Sequence, residues 1–466
     1  MSETSNAPVL VLFRHDLRLD DNLALSAAAD SGHPVLAVYV EDLSEGIRPL
    51  GAAARWWRAR SLRSLKKAIS DSFGIRLICR RGPLDEAVMG LIRQGQIKAI
   101  YINRRFEPAA DKADDLLEVE CGHHAIPVHR FEGQLLHDPN RLKTSTGGFY
   151  KVFTPFWRAL SSTDSFADPA DPPESLRAYK HELEDDPDGL LEYDPPWAKG
   201  FDKIWQPGEA GASERLEQFL EGRGEGYSTG RDFMAMEVTS RLSPHLAHGE
   251  ITPRQIMAAS ARSKLPPADL ETFRKELGWR EFCWHLLVHN PHLATENYDT
   301  RFNHFPWNTD NAFLTHWKRG RTGYPLVDAA MRQLWETGWM HNRARMVVAS
   351  FLVKHLGLHW KEGEAWFWDT LVDADAANNP ANWQWVAGTG ADAAPFFRIF
   401  NPTLQSRKFD TRGEFIRTYV RELSALDSRQ LHEPPAELRE SYAYPAPVVD
   451  HTQARESALA AYRSIR

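Results

Sequence analysis

Asp373 and Asp375, Asn378 and Asn379, and Trp383 and Trp385 fall in one short run, Asp373-Ala-Asp375-Ala-Ala-Asn378-Asn379-Pro-Ala-Asn-Trp383-Gln-Trp385. The run continues through Gly-Thr-Gly to Phe396-Phe397-Arg398-Ile-Phe-Asn-Pro402. Core packing selects apolar volume, and each buried carboxylate or amide costs stability unless it is paired. A stretch mixing carboxylates, amides, large aromatics and an arginine therefore reads as the wall of a pocket for an aromatic, polar, redox-active molecule. The tryptophans concentrate in the same region, eleven of 16 lying between Trp279 and Trp385.

Two further triplets have helical spacing. Glu276, Trp279 and Arg280 stand at i, i+3 and i+4, and Asn342, Arg345 and Met346 repeat that geometry, so each set shares one helix face. An ion-paired helix surface is the plain reading of either alone; together they suit a flat heteroaromatic ligand. Arg345 beside Asp373 and Asp375 would give a partly buried ion pair, a good way to fix a site's geometry. Upstream, Tyr227-Ser-Thr-Gly-Arg231 and Thr239-Ser240-Arg241-Leu242-Ser243 cluster hydroxyls around arginines before a proline-led helix. Such a cluster can cradle phosphate, although helix capping explains the hydroxyls as well. Trp307, Trp317, Trp360 and Trp383 fit core packing or electron hopping.

The elements that must position these residues follow from periodicity. Val9–Phe13 is a continuous apolar run, as a strand buried on both faces should be. Strands are expected near Val35–Val40, Ile75–Cys79, Ala99–Ile102 and Pro127–Phe131, alternating with helices near Leu23–Asp30, Ala52–Phe73, Leu84–Gln94 and Ala109–Glu120. That alternation means an open parallel sheet. No Gly-x-Gly-x-x-Gly follows the first strand, which argues against a nicotinamide dinucleotide site. Residues 136–210 are rich in Pro, Asp, Glu and Ser and read as a connector. Helical spacing dominates residues 211–466. The expected fold is thus an α/β domain over 1–135, doubly wound and Rossmann-like, followed by that connector and an all-α domain.

Composition narrows the class. Residues 161–220 hold 15 acidic and 5 basic side chains, so the net charge of -7 leaves the rest of the chain at about +3, and a local basic surface for nucleic acid is compatible with it. Cys79, Cys121 and Cys283 are few and scattered, which argues for a reducing compartment and against disulfides, zinc or iron–sulfur ligation. No metal site is expected. The chain shows no bilayer-length apolar run, and Met1–Asn6 lacks a secretory signal. A cytoplasmic protein is expected.

Five motifs in order resemble the photolyase/cryptochrome family: Phe13-Arg14-His-Asp-Leu-Arg-Leu-Asp-Asp-Asn22, Gly323-Tyr-Pro-Leu-Val-Asp-Ala-Ala-Met-Arg-Gln-Leu334, Met340-His-Asn342-Arg-Ala-Arg345-Met346, Asn382-Trp-Gln-Trp385 and Phe397-Arg-Ile-Phe-Asn-Pro402. The resemblance implies an antenna domain followed by a helical domain that holds FAD. It places Tyr227, Arg231, Thr239, Ser240, Arg241, Leu242 and Ser243 on the diphosphate and adenine side, and Arg280, Asn342, Arg345, Asp373, Asp375 and Asn379 on the flavin side. Trp383, Trp360 and Trp307 resemble the proximal, middle and surface members of an electron-transfer chain, with Trp317 an alternative for the last.

Within the family, Glu276, Trp279, Asn342, Met346 and Trp385 match lesion-contacting positions of cyclobutane pyrimidine dimer (CPD) photolyases, and Arg280, Arg343 and Arg398 join them on the DNA side. Two indoles would wedge a flipped dimer by stacking, and burial would have to prepare Glu276 to donate a proton. Asn342 after His341, in place of the His-His of (6–4) photolyases, and Asn379, in place of the aspartate of plant-type cryptochromes, favour the CPD reading. The pattern is most similar to bacterial class III CPD photolyases, working as monomers on UV-damaged DNA in the cytoplasm and at the nucleoid. A cryptochrome-type blue-light receptor without repair activity is the rival. Asn103 and Glu107, after the fourth strand, resemble antenna contacts, for 5,10-methenyltetrahydrofolate first and deazaflavin second.

Overall fold

The computed structural model describes residues 7–162, 166–393 and 398–465. The chain forms two compact units, one of residues 1–149, 157–222 and 240–265, the other of residues 150–156, 223–239 and 266–466.

In the first unit, β1 (Val9–Phe13), β2 (Val35–Asp42), β3 (Leu77–Gly82), β4 (Ile100–Asn103) and β5 (Val128–Phe131) alternate with α1 (Leu23–Asp30), α2 (Ala52–Phe73), α3 (Leu84–Ile92) and α4 (Pro108–His123). The sheet is wholly parallel in the order β3-β2-β1-β4-β5, the doubly wound topology that alternation and right-handed crossovers dictate. Strand β3 starts two residues later than its apolar run suggests, because pairing with β2 continues to Asp42↔Gly82. Alternate β1 residues face opposite layers: Val9, Val11 and Phe13 pack with Leu62 and Ile69 of α2, while Leu10 and Leu12 pack with Val88 of α3 and Leu117 of α4.

Beyond the carboxyl ends of these strands the crevice is filled by the protein's own charges. Arg14 pairs with Asp114 at 2.8 Å, and Arg105 pairs with Asp42 at 2.8 Å and with Asp114 at 2.6 Å. Asn103 donates to Asp16 and to Asn22, both at 2.7 Å, and its Oδ1 accepts from Ala24 N. The Asn103 amide expected to face an antenna is therefore committed to tying α1 to β4.

The stretch expected to be a connector, at most locally helical, contains a helix, Phe153–Ser161. Its first residues belong with the second unit and its last with the first. The second unit is otherwise helical. Its core centres on Trp317, Met331, Leu334, Val347, Phe351, Trp360 and Trp383, surrounding the segments with the tryptophan-rich motifs.

Candidate functional site

Three helices of the second unit carry most of the singled-out residues. Helix Pro267–His289 starts with Pro at N1, where the missing N–H is no loss, and its Asp269 accepts from Gly226 N and Ser228 N at 2.9 and 2.7 Å. Those bonds pin the Tyr227-to-Arg231 turn against the helix and hold the Asp269 carboxyl below its usual range, the Ser228 side chain contributing most. Two turns on come Glu276, Trp279 and Arg280, as the spacing requires.

Trp279 is stacked face to face on Phe153, centroids 3.7 Å apart and planes 8° apart. One face of the indole is thus covered by an aromatic wall while the side chain stays partly exposed. Phe153 belongs to an aromatic-rich run, Phe149-Tyr150-Lys-Val-Phe153-Thr-Pro-Phe156-Trp157, and was not singled out from sequence.

Glu276 is ion-paired with Arg231 at 2.5 Å and its side chain is a third exposed. The apolar sealing expected for a proton-donating carboxyl is absent; the two residues, assigned to different ligands by resemblance, hold each other. Arg231 also lies over the Tyr227 ring, and Tyr227 is buried, its phenol pushed up by desolvation.

Helix Asn342–Ser350 is capped by His341, whose Nδ1 accepts from Arg343 N at 3.1 Å. Asn342 is exposed and Met346 half-buried. Arg343 pairs with Asp232 and lies over Phe409. Arg345 donates to Met340 O and pairs with Asp373 at 2.7 Å, the ion pair expected from sequence. The helix runs on into a π-helical turn, Phe351–His355, a feature common at functional sites. There the buried Lys354 amine donates to the carbonyl of Arg398, whose side chain is exposed. Phe396 and Phe397 of the same motif lie outside the described residues.

Helix Asn378–Ala387 holds the last set. Asp375 accepts from Ala377 N, Asn378 N and Asn378 Nδ2 at 2.9, 2.5 and 2.8 Å; desolvation raises its carboxyl and Arg280 opposes the rise. Asn379 is buried and donates both amide hydrogens to Glu364, at 3.0 Å to its carbonyl and 2.7 Å to its carboxylate. The Asn379 Oδ1 is thereby turned away from Glu364 as an acceptor. Glu364, itself buried, is a site residue that sequence reasoning missed.

Trp383 is buried against Phe367 and Trp317, at 5.0 and 6.1 Å between ring centroids. Its indole N–H finds no partner among the described residues. Trp385, half-exposed, donates to Asp392 O at 3.1 Å. Trp317 is fully buried and donates to Val348 O. It cannot replace Trp307 as the surface member of a chain, because it sits beside Trp383 in the core. Trp307 is half-exposed.

Thr239 closes a segment of the second unit, and Ser240 to Ser243 belong to the first. Ser243–Ala247 is a helix with Leu242 at its cap and no side-chain cap bond; Ser240 Oγ accepts from Leu242 N at 3.4 Å, and Arg241 takes the left-handed backbone, φ 52°. Ser240 thus makes a local side-chain-to-backbone bond just before the helix. In the first unit Glu107 is half-buried immediately before α4. The ion partners of neighbouring Arg104 are Asp111 and Asp138, each at 3.3 Å.

The donor set in the second unit suits a flat heterocycle with imide and amide edges: Arg345 with Asp373, Asp375 near Arg280, and an oriented Asn379 acceptor beside the buried face of Trp383. Comparison with known proteins points the same way. A model of the FAD binding domain of DNA photolyase matches residues 273–464, and a DNA photolyase model matches residues 9–175. The deoxyribodipyrimidine photo-lyase of Agrobacterium fabrum is 48% identical over 99% of this chain and 98% of its own length. A crystal structure of a bacterial class III photolyase from Agrobacterium tumefaciens superposes with a TM-score of 0.94 at 47% identity, covering 100% of this chain and 98% of that one. An archaeal photolyase from Sulfolobus tokodaii, described with two FAD molecules, superposes with a TM-score of 0.84 at 29% identity over 98% of this chain and 100% of that one.

Proposed function

The chain belongs to the DNA photolyase family, and from that premise we propose how its side chains divide the work of light-dependent repair of cyclobutane pyrimidine dimers in UV-damaged DNA. When bound, reduced FAD supplies the light-excited electron that opens the cyclobutane ring and takes that electron back. The protein's part is binding, orientation, exclusion of water and electrostatics.

Arg345, fixed by Asp373 and Met340 O, and Asp375, fixed by its own loop and near Arg280, present charge to the flavin's polar edge. Asn379 offers Oδ1 to a protonated ring nitrogen, and Glu364 keeps the amide from turning. Neutral Asn there stabilises a reduced ring without adding a negative charge. Tyr227, Arg231 and Thr239 serve the diphosphate and adenine. Trp383, Trp360 and Trp307 would form the path by which electrons reach an oxidised flavin.

For the lesion, Trp279 and Trp385 supply stacking faces, Phe153 backing the first. Asn342 reads polar edges and Met346 packs softly. Glu276, paired with Arg231, accepts from the imide N–H groups of the dimer. Arg343 and Arg398 serve the DNA phosphates, whereas Arg280 is buried beside Glu281 and Asp375. A single chain supplies every one of these groups, so a monomer suffices. In the first unit Glu107 offers a carboxylate to the amino-imine edge of a pterin antenna such as 5,10-methenyltetrahydrofolate; a deazaflavin, or a second flavin as in the archaeal relative, is the alternative. All three cysteines are free and buried, in keeping with a reducing cytoplasm. Among the described residues no helix is long and apolar enough to cross a membrane.

The observation that carries this reading is the buried Asn379 amide oriented by Glu364, on the same helix as Trp383. Its test is an illuminated repair assay on a dimer-containing oligonucleotide with FAD-loaded protein. Repair in light and none in darkness is expected; no repair by illuminated, FAD-reduced protein would overturn it.

A further inference from the structure

Helix Trp360–Thr370 is capped by His359, whose Nδ1 accepts from Lys361 N at 3.2 Å. A neutral imidazole has one acceptor nitrogen, so that bond places its proton on Nε2. The same ring lies 4.7 Å from the Trp307 ring and 5.6 Å from the Trp360 ring, tilted 55° and 36° to them. Trp360 is fully buried and its indole N–H donates to Asn297 Oδ1 at 2.7 Å. Trp307 packs on Phe305 at 4.4 Å, and its indole N–H has no partner among the described residues. The three rings form a continuous aromatic path from half-exposed to fully buried.

We propose that His359 is a positioning residue for electron entry: an uncharged ring seated between Trp307 and Trp360 that couples the two indoles and keeps positive charge out of the gap. The inference rests on the reading of Trp383, Trp360 and Trp307 as the electron path. In the step concerned, one electron leaves Trp307 and reduces oxidised Trp360. Trp307 is oxidised by one electron, Trp360 is restored, no bond breaks and no proton moves. An external thiol then refills Trp307.

The surroundings keep the imidazole neutral. Burial is the main cause and the Lys361 charge the second, and together they lower the His359 pKa to about 4. Lys361 comes from His359's own helix. The segment packed against it presents the uncharged Trp307 and Phe305 rings and Asn308, which donates from its backbone to Gly357 O. No carboxylate contributes among the described residues.

A proton on His359 would put a unit charge about 5 Å from both indoles. At an effective permittivity near 20 that disfavours a vacancy on either by roughly a hundredfold, and the partial exposure of the ring cuts this to about tenfold.

The test follows photoreduction of oxidised FAD in the holoenzyme with excess thiol between about pH 7 and pH 4. Parallel samples carry His359→Phe, which keeps the ring without the charge, and His359→Asn, which keeps the capping acceptor without the ring. The wild type should lose about half its rate by pH 4, where about half of the His359 rings carry the proton. His359→Phe should match the wild type at pH 7 and lack that component of the acid loss, and His359→Asn should be slower at both pH values. An acid loss in His359→Phe equal to the wild type's, or an unslowed His359→Asn, would overturn the proposal. Trp360→Phe serves as the control: full-speed photoreduction in that variant would reject the electron path itself, whatever the His359 variants do.

Discussion

Gly363→Ala should be more damaging than any glycine-to-alanine change inside a helix has a right to be. Gly363 lies in helix Trp360–Thr370, where alanine ordinarily stabilises by about 1 kcal/mol. Here the added methyl would lie 2.0 Å from Trp383 Cη2, 2.5 Å from Cζ3 and 2.6 Å from Cζ2, all on the six-membered ring, against an ordinary contact that starts at 3.4 Å. The indole cannot simply swing aside, since Phe367 and Trp317 already pack against it. Overpacking of this kind costs about 1–3 kcal/mol, so the net effect is a loss of about 0–2 kcal/mol instead of a gain. The displaced ring should also slow photoreduction of oxidised FAD, because Trp383 is the member assigned next to the flavin. Denaturant unfolding and photoreduction kinetics read the two effects. In a Trp383→Phe background the six-membered ring of the clash is gone, and Gly363→Ala should become neutral or stabilising by about 1 kcal/mol. The reasoning is refuted if Gly363→Ala alone stabilises by that amount and leaves photoreduction at the wild-type rate.

Trp279→Ala should weaken binding of dimer-containing DNA by roughly 1–3 kcal/mol with FAD retained; unchanged affinity would remove Trp279 from the lesion pocket. Glu364→Ala should free the Asn379 amide to turn, and the reduced flavin should then reoxidise faster in air, so an unaltered reoxidation rate would argue against the orienting role. Lys354→Met should stabilise the fold in a pH-dependent way. Burial lowers the Lys354 pKa to about 7 from an ordinary 10.5. Between those values the unfolded chain holds a proton that the folded chain does not, so stability rises with pH across that window. Below about pH 7 the folded chain bears the full cost of the buried charge. The gain from Lys354→Met should therefore reach a few kcal/mol below pH 7 and fade toward pH 10.5. Urea unfolding at about pH 6 and about pH 9 measures it, and equal gains at both would contradict the account.

The parallel sheet was legible because strands buried on both faces read as uninterrupted apolar runs, as Val9–Phe13 does, between amphipathic helices. The Arg345–Asp373 pair and the shared face of Glu276, Trp279 and Arg280 were legible because helical spacing and charge sign are local properties. Glu364 was not: one carboxylate in a tryptophan-rich helix looks like solvent-facing charge until Asn379 is brought against it. The Phe153 stack on Trp279 was not legible because it joins two residues far apart in sequence, a pairing that only tertiary packing sets. Trp307 and Trp317 differ in exposure only through tertiary packing, and composition treats them alike. The intrachain bonds of Asn103 to Asp16 and Asn22 were not legible, because they join residues that only tertiary packing brings together.

The central claim is that light absorbed by a reduced flavin in the helical unit drives repair. The direct measurement is the wavelength dependence of dimer repair by protein carrying reduced FAD and no antenna. Repair yield should follow the absorption of the bound reduced flavin across the near-ultraviolet and blue, and vanish in darkness. Repair that proceeds in the dark, or a yield that ignores the flavin band, would contradict the account.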